Sequence, residues 1–416
     1  MTLTNSIAKL HHPWMGRLWR WGLRPVCALL ACGLLLYLLW LLVNLRDQPA
    51  SADALRLAQQ SAPQREVLSA QNAYAFIQGF TAPRAQSPAA LGQAVLRAQA
   101  QGATQAAPTW VVDAALAQLS KHDLNDLGLR RACTESVAPC EALLRTHADQ
   151  VQALLARHAW VVARYQQLLA LPYWQEPRHE PSTFNPPVFQ HVLVAQKLYL
   201  LNLWQDAAQG RSAQLKPQLA QDIRFWRQAL AESGSILSKM IAAAALRQHF
   251  LFGSVALAEL PDAQAYSPPS WQTPFSPEEL SMRRALTGDW WWLCAALRDN
   301  PAATTDEPPS IWHPLLRPML QQQDSCNRLA SAFEQQLALM EHAKPEELAG
   351  LRPQLTAITP QTSWLYNPYG SVLLSVNFPN MADYSLRVAD LEGLRRAHWL
   401  ALQPPQQAPG GPQRAR

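Results

Sequence analysis

Two rhythms of apolar and polar positions divide this chain. From Pro25 to Asn44 the sequence PVCALLACGLLLYLLWLLVN contains no charge, and an apolar run of about 20 residues is what a helix needs to cross a bilayer core. Beyond it, apolar residues return at three- and four-residue steps, the period of helices with one buried face. Over Glu141–Leu171 the stripe runs through Leu144, Val151, Leu154, Leu155, His158, Val161, Val162, Tyr165 and Leu169. Further helices are predicted over about 187–208, 214–232, 235–259, 315–342 and 382–402, with shorter ones near 71–80, 88–100 and 110–121. Asn72 is a candidate N-cap, and Ser276-Pro277-Glu278-Glu279 reads as a capping box with Pro in the first helical position. Residues 360–380 are turn-rich. Strand alternation is absent beyond short fragments, so the predicted class is all-α: one N-terminal transmembrane helix followed by a helical bundle or short solenoid-like domain.

The order of these rhythms predicts an N-terminal tail at 1–24, a transmembrane helix at 25–44, a polar, Ala-rich stalk at 45–70, a helical domain at 71–402 and a disordered tail at 403–416. All charges ahead of the apolar run are positive (Lys9, Arg17, Arg20, Arg24), and the first acidic residue is Asp47. The positive-inside rule then keeps the N-terminus in the cytoplasm and exports the rest. Ala50-Ser51-Ala52 has the small-x-small form of a signal-peptidase site. The apolar run, however, is longer than the 7–15 residues of a signal h-region and ends well before that site. The reading is a retained signal anchor.

Charge changes the picture by exclusion. The formal net charge is +5, but four of the 35 Lys and Arg precede the apolar run, which leaves 31 basic against 30 acidic residues in the exported part. The footprint of a nucleic-acid binder is missing. Lysine is scarce while Arg, Ala, Leu and Gln abound, a flavour of GC-rich bacterial genomes, so the exported compartment is expected to be the periplasm and the membrane the bacterial inner membrane. Cysteines are oxidised there. Cys27 and Cys32 lie within the apolar run; Cys133, Cys140, Cys294 and Cys326 lie beyond it, and the favoured pairing is Cys133–Cys140 with Cys294–Cys326. No CxxC or HxxxH spacing points to a metal, and no cofactor is expected.

Catalytic signatures are missing: the sequence has no GxSxG, HExxH, Walker A loop or GxGxxG, which leans away from an enzyme. The polar oddities that remain are Lys239 and Arg247 on an otherwise apolar helix, where a buried cation needs an anionic partner such as Asp222 or a route to water. They mark either a pocket for an anionic or polar ligand or a structural ion pair. Arg395 and His398 share the apolar face of the last helix and hint at a polar network beneath it. Trp290, Trp291 and Trp292 are consecutive; on a helix they point about 100° apart and cannot all face one core, which makes them candidates for an interface.

The stretches NAYAFIQGF (72–80), DIRFWRQAL (222–230), SKMIAAAALR (238–247), YNPYGSVLLS (366–375) and YSLRVADLEGLRR (384–396) resemble a group of uncharacterised proteobacterial single-pass inner-membrane proteins. That resemblance implies an anchored helical envelope domain and carries over no catalytic or binding residue. The leading expectation is a membrane-anchored periplasmic protein that touches the lipid bilayer through 25–44 and binds or scaffolds an envelope protein partner. One alternative is a periplasmic enzyme or ligand sensor with its site near Lys239. Another is an accessory subunit of a transport or secretion complex, contacted through Ala28, Ala31, Cys32 and Gly33 of the membrane helix.

Overall fold

The apolar run forms a single helix, α1 (Arg24–Val43), whose side chains are largely exposed. By length and composition it can cross a membrane; the helix over Ile236–Leu257 passes the same test but is mostly buried inside the protein. The structure is a computed structural model describing residues 24–102, 113–119, 128–133, 136–178, 185–299, 313–344, 347–377 and 381–403. The expected N-terminal tail, apart from Arg24, and the expected disordered tail, apart from Gln403, lie outside the described residues. Most of the loop expected over Asp299–Pro309 also lies outside them.

Among the described residues the protein is all-helical, with one isolated bridge between Asn72 and Tyr173 and no strand. Helix α2 (Ala52–Gln60) starts at Ser51, whose side chain accepts from the Ala54 amide at 3.2 Å. Helix α3 (Ala73–Gln78) is capped by Asn72, as expected, and every one of its residues is buried. It crosses α4 (Pro88–Ala100) at backbone contact: a Cβ on Gly92 would lie 1.7 Å from the Ala75 carbonyl oxygen, so only glycine fits there.

The continuous stripe over 141–171 resolves into three helices, α5 (Val137–Thr146), α6 (Ala148–Arg157) and α7 (Ala159–Leu169). The breaks fall at His147 and His158, with φ near −113° and −110°. One non-helical residue per break keeps the buried face in phase, so hydrophobic periodicity alone reads through it. The core helices follow: α8 (Phe189–Ala208), α9 (Leu215–Glu232), α10 (Ile236–Leu257), α11 (Arg283–Asp299), α12 (Gln322–His342), α13 (Leu348–Ala357), α14 (Pro368–Asn377) and α15 (Met381–Ala401). Helix α14 occupies the stretch that the sequence reads as turn-rich.

Two apolar cores result. One is built from α3 to Phe275 and completed by Leu391 of α15, around Tyr165, Trp174, Trp226, Phe250 and Trp271; the other from Met282 to Ala389 with Ile236, around Leu286, Trp290, Phe333 and Leu337. Ala54 and Leu57 of α2 belong to the second core, and Leu57 is completely buried, worth about 1.5–3 kcal/mol of apolar burial. Residues 45–70 are therefore not the stalk their polar composition suggests. Ala54 and Leu57 are spent on the domain, while Leu45 and Leu55 stay exposed.

The two expected disulfides are present. Cys133–Cys140 closes a short loop, and Cys294–Cys326 fastens α11 to α12, with Cα atoms 4.5 and 5.5 Å apart respectively. Cys27 and Cys32 are free and exposed on α1.

Candidate functional site

Lys239 is buried, as its place on α10 implies, but Asp222 is not its partner. Its Nζ donates to the carbonyls of Leu230 and Glu279 at 2.7 Å each. Leu230 lies in the last turn of α9, where carbonyls lack helical partners and a cation is favoured. Burial nevertheless pushes the Lys239 ammonium down to about 7, against a smaller pull upward from Glu279. Glu279 is the meeting point: its carboxylate closes the capping box with Ser276 and accepts both arms of Arg227 at 2.6 and 2.7 Å. Lys239 thus joins helix ends instead of facing a ligand. Arg247 is exposed and pairs at the surface with Asp390 at 3.3 Å; the circumference of α10 is not apolar all round.

Asp222 belongs to a different, fully buried network. Its Oδ1 accepts from the Tyr165 hydroxyl at 2.5 Å, and its Oδ2 accepts from Gln196 at 3.0 Å and faces His249 Nδ1 at 2.8 Å. Trp271 donates to His249 Nε2 at 2.9 Å, which places the imidazole proton on Nδ1, aimed at Asp222. Burial and the nearby carboxylate raise the Tyr165 hydroxyl well above its ordinary value. An acid orienting a histidine supplies two of the three members of a hydrolytic triad. Here the place of the nucleophile is taken by an indole N–H, which can only donate, so the arrangement stabilises the core.

Arg395 and His398 do face this region. Arg395 is buried, makes two bonds to Glu392 and donates to the Trp271 carbonyl. His398 Nδ1 lies 2.6 Å from Ser254 Oγ, and burial together with His249 pushes its imidazole down to about 4. Ser254 sits within regular α10, whose amides are committed to helical bonds, so no oxyanion donors flank it. Of the three tryptophans, Trp290 is buried and donates to the Cys326 carbonyl at 3.1 Å. Trp291 and Trp292 are half-buried, and Trp291 stacks under Arg178 with the guanidinium 4.1 Å from its ring centre. The triplet is largely packing, not an open interface.

The densest polar construction without a counterpart in the sequence reading lies where α1 meets the domain. Asn44, the residue after α1, is 3% exposed beside a helix of exposed leucines. Its side chain donates to the Leu365 carbonyl at 3.0 Å and accepts the Asn367 amide at 2.6 Å, while its carbonyl accepts from Gln321. Asp47 accepts the amides of Gln323 and Asp324 at 2.7 and 3.0 Å, capping α12 from outside. Asn327 bonds the Pro49 carbonyl and the Ser51 amide, both at 2.9 Å. One turn and two turns back along α1, Trp40 Nε1 donates to the carbonyls of Trp364 and Leu365, and the Tyr37 hydroxyl to that of Leu315, all at 3.0 Å. The signals were present but quiet: a lone Asn closing an apolar run, the first acid after it, and an Asn-Pro turn at 367–368.

Two open grooves lie on the second core, separated by the end of α12. One, of about 600 Å³, is lined by Leu280, Met282, Met340, Leu348 and Ala389; the other, of about 680 Å³, by Ala338, Leu339, Leu351 and Ile358. The first is apolar with a charged rim at Glu278, Glu341 and Lys344, and the second is bordered by Gln335, His342 and Glu347, compositions suited to an apolar segment of another molecule. The chain matches no protein-family model, no curated protein and no solved structure.

Proposed function

We propose that this chain is a single-pass protein of the bacterial inner membrane, with its N-terminus in the cytoplasm, which holds a helical periplasmic domain at a fixed attitude on the membrane and there scaffolds an envelope protein. The observation that carries this reading is the locked exit of α1. A tether that only limits diffusion needs a flexible stalk, whereas Asn44, Asp47 and Ser51 bind the first eight residues after α1 to α12 and Asn367. A partner held by the grooves beside Met340 and Leu351 would meet a surface of constant height and orientation. The enzyme reading is weakened because Lys239 is occupied by two carbonyls.

The test is site-specific photo-crosslinking in intact cells, with the probe at Leu339, Leu348 or Leu351 and a control probe at exposed Leu237. Discrete adducts from the groove positions and none from Leu237 support the scaffold. Equal adducts, or none, at all positions overturn it. Repeating the experiment with Ala28, Ala31 and Gly33 replaced by leucine separates groove binding from pairing of α1 within the membrane, since a Cβ on Gly33 meets no atom within 4 Å.

A further inference from the structure

Outside α1, the large apolar residues exposed among those described are scattered singly, as at Leu55, Leu237 and Leu400, except at the foot of α1. There Leu45 (69%), Leu315 (44%), Trp364 (69%) and Leu365 (66%) are exposed together, held against α1 by the bonds from Tyr37 and Trp40. Isolated exposed leucines need no explanation; a cluster does.

The depth of these bonds along α1 says what covers the cluster. The helix has 20 residues and is about 30 Å long at 1.5 Å per residue, which equals the hydrocarbon thickness of a typical bilayer. Arg24 closes its cytoplasmic end. Tyr37 then stands about 9 Å, and Trp40 about 4.5 Å, inside the far end of the helix. The segments that bond them reach the same depth.

We infer that the helical turn carrying Leu315 and the loop carrying Trp364-Leu365 dip into the outer leaflet of the membrane that α1 spans, so that the domain is seated in lipid and not merely suspended above it. The inference rests on α1 being a retained membrane helix. Its chemistry is consistent at each atom. Backbone carbonyls entering a bilayer must be satisfied within the protein, and those of Leu315, Trp364 and Leu365 each accept from a side chain of the α1 segment: Tyr37, Trp40 or Asn44. Trp is favoured at the headgroup boundary, and Arg46 and Arg317, both exposed, stand beside the cluster where lipid phosphates lie.

The experiment uses the full chain with Cys27 and Cys32 changed to serine, reconstituted in phosphatidylcholine–phosphatidylglycerol vesicles. Single cysteines replace Leu34, Leu315, Trp364, Leu365 or Leu400, each carrying an environment-sensitive fluorophore. Spin-labelled lipids quenching shallowly should remove most of the emission at 315, 364 and 365, with a blue shift relative to 400, and deep quenchers should act at 34. If 34 is quenched while 315, 364 and 365 behave like 400, the seating is wrong and the anchor stands. If 34 also behaves like 400, the anchor itself is wrong and the inference falls with it. Mass measurement of both disulfides in each labelled chain confirms that the domain has folded.

Discussion

Asn44 Oδ1 accepts the backbone amide of Asn367 at 2.6 Å, across 323 residues of sequence. Asn367 is the one described non-glycine residue with positive φ, at 55°, a region that asparagine tolerates better than most residues. Its own side chain bonds the Gln321 amide and carbonyl, Asp324, Ser325 and the Gly370 amide, at 2.8–3.0 Å. Replacing Asn367 with Ala leaves several buried groups unpaired and strains the backbone, and should lower stability by about 3 kcal/mol. Asn44→Ala should cost about half as much and should expose the 44–51 segment to protease. Urea denaturation and limited proteolysis of the detergent-solubilised chain read both effects.

Lys239 predicts a pH slope. Its folded value is about 7 against 10.5 when free, so between these limits the unfolded chain binds more protons and stability rises with pH. The penalty of holding a buried ammonium is fully present below pH 7 and is gone above about 10.5. Lys239→Met has no such group. The wild-type chain should therefore gain on the variant by about 1.4 kcal/mol per pH unit from pH 7 to 9, read from urea midpoints. Parallel curves would show that the group does not titrate there.

Asp289 has the opposite sign. Burial raises its carboxyl to about 7, only partly opposed by the Ile236 amide, with Glu176 adding to the rise. The folded chain then keeps a proton that the unfolded chain has lost, and stability falls as pH climbs from about 4 to 7. Asp289→Asn should equal the wild type at pH 4 and exceed it by about 1–2 kcal/mol at pH 8, less than the full 1.4 kcal/mol per unit because water reaches part of the side chain. Thermal unfolding at the two pH values measures the difference.

Glycines 288 and 350 should respond in opposite directions. A Cβ on Gly288 would lie 1.7 Å from the Gly234 carbonyl oxygen, backbone against backbone, whereas one on Gly350 meets nothing within 4 Å. Gly288→Ala should cost about 3 kcal/mol by forcing α11 off the α9–α10 turn. Gly350→Ala, in α13, should gain about 0.5–1 kcal/mol. Melting temperatures of the two variants give the comparison directly.

The bridges differ in span. Cys294–Cys326 joins residues 32 apart and Cys133–Cys140 residues 7 apart, so loop entropy predicts losses of about 3.7 and 2.4 kcal/mol when each pair is replaced by serines. Denaturation with and without reductant checks the order, because reduced wild type should match the double-pair variant.

What the sequence made legible was local. Asn72, Pro88 and the Ser276–Glu279 box announce helix starts by chemistry acting within one turn, and Pro/Gly punctuation placed α8 and α9 to within two residues. Partners chosen by tertiary contact were not legible. Lys239 bonds carbonyls, which every residue offers, so nothing in the sequence could name Leu230 and Glu279. Asp222 meets His249, Gln196 and Tyr165 because four helices, α7 to α10, converge, a fact of packing and not of spacing. The segment 45–70 misleads for a related reason: two buried positions, Ala54 and Leu57, suffice to dock a short helix yet are too few to leave a stripe.

The cap that Asp47 places on α12 also sets an order of events. Helix α12 begins 275 residues after Asp47, and its first turn is completed by a segment that precedes every other part of the domain in the chain. As the chain is synthesised, Asn44 and Asp47 must wait unsatisfied until residues 321–324 and Asn367 follow, and Leu57 until the second core assembles. The second core then closes by returning to them. Such long-range closure is slow, and the waiting segment is exposed throughout. Folding of this protein is thus expected to end with a buckle at the foot of α1, and chains truncated before Asn367 should stay unfastened there, open to proteases between Asn44 and Gln60.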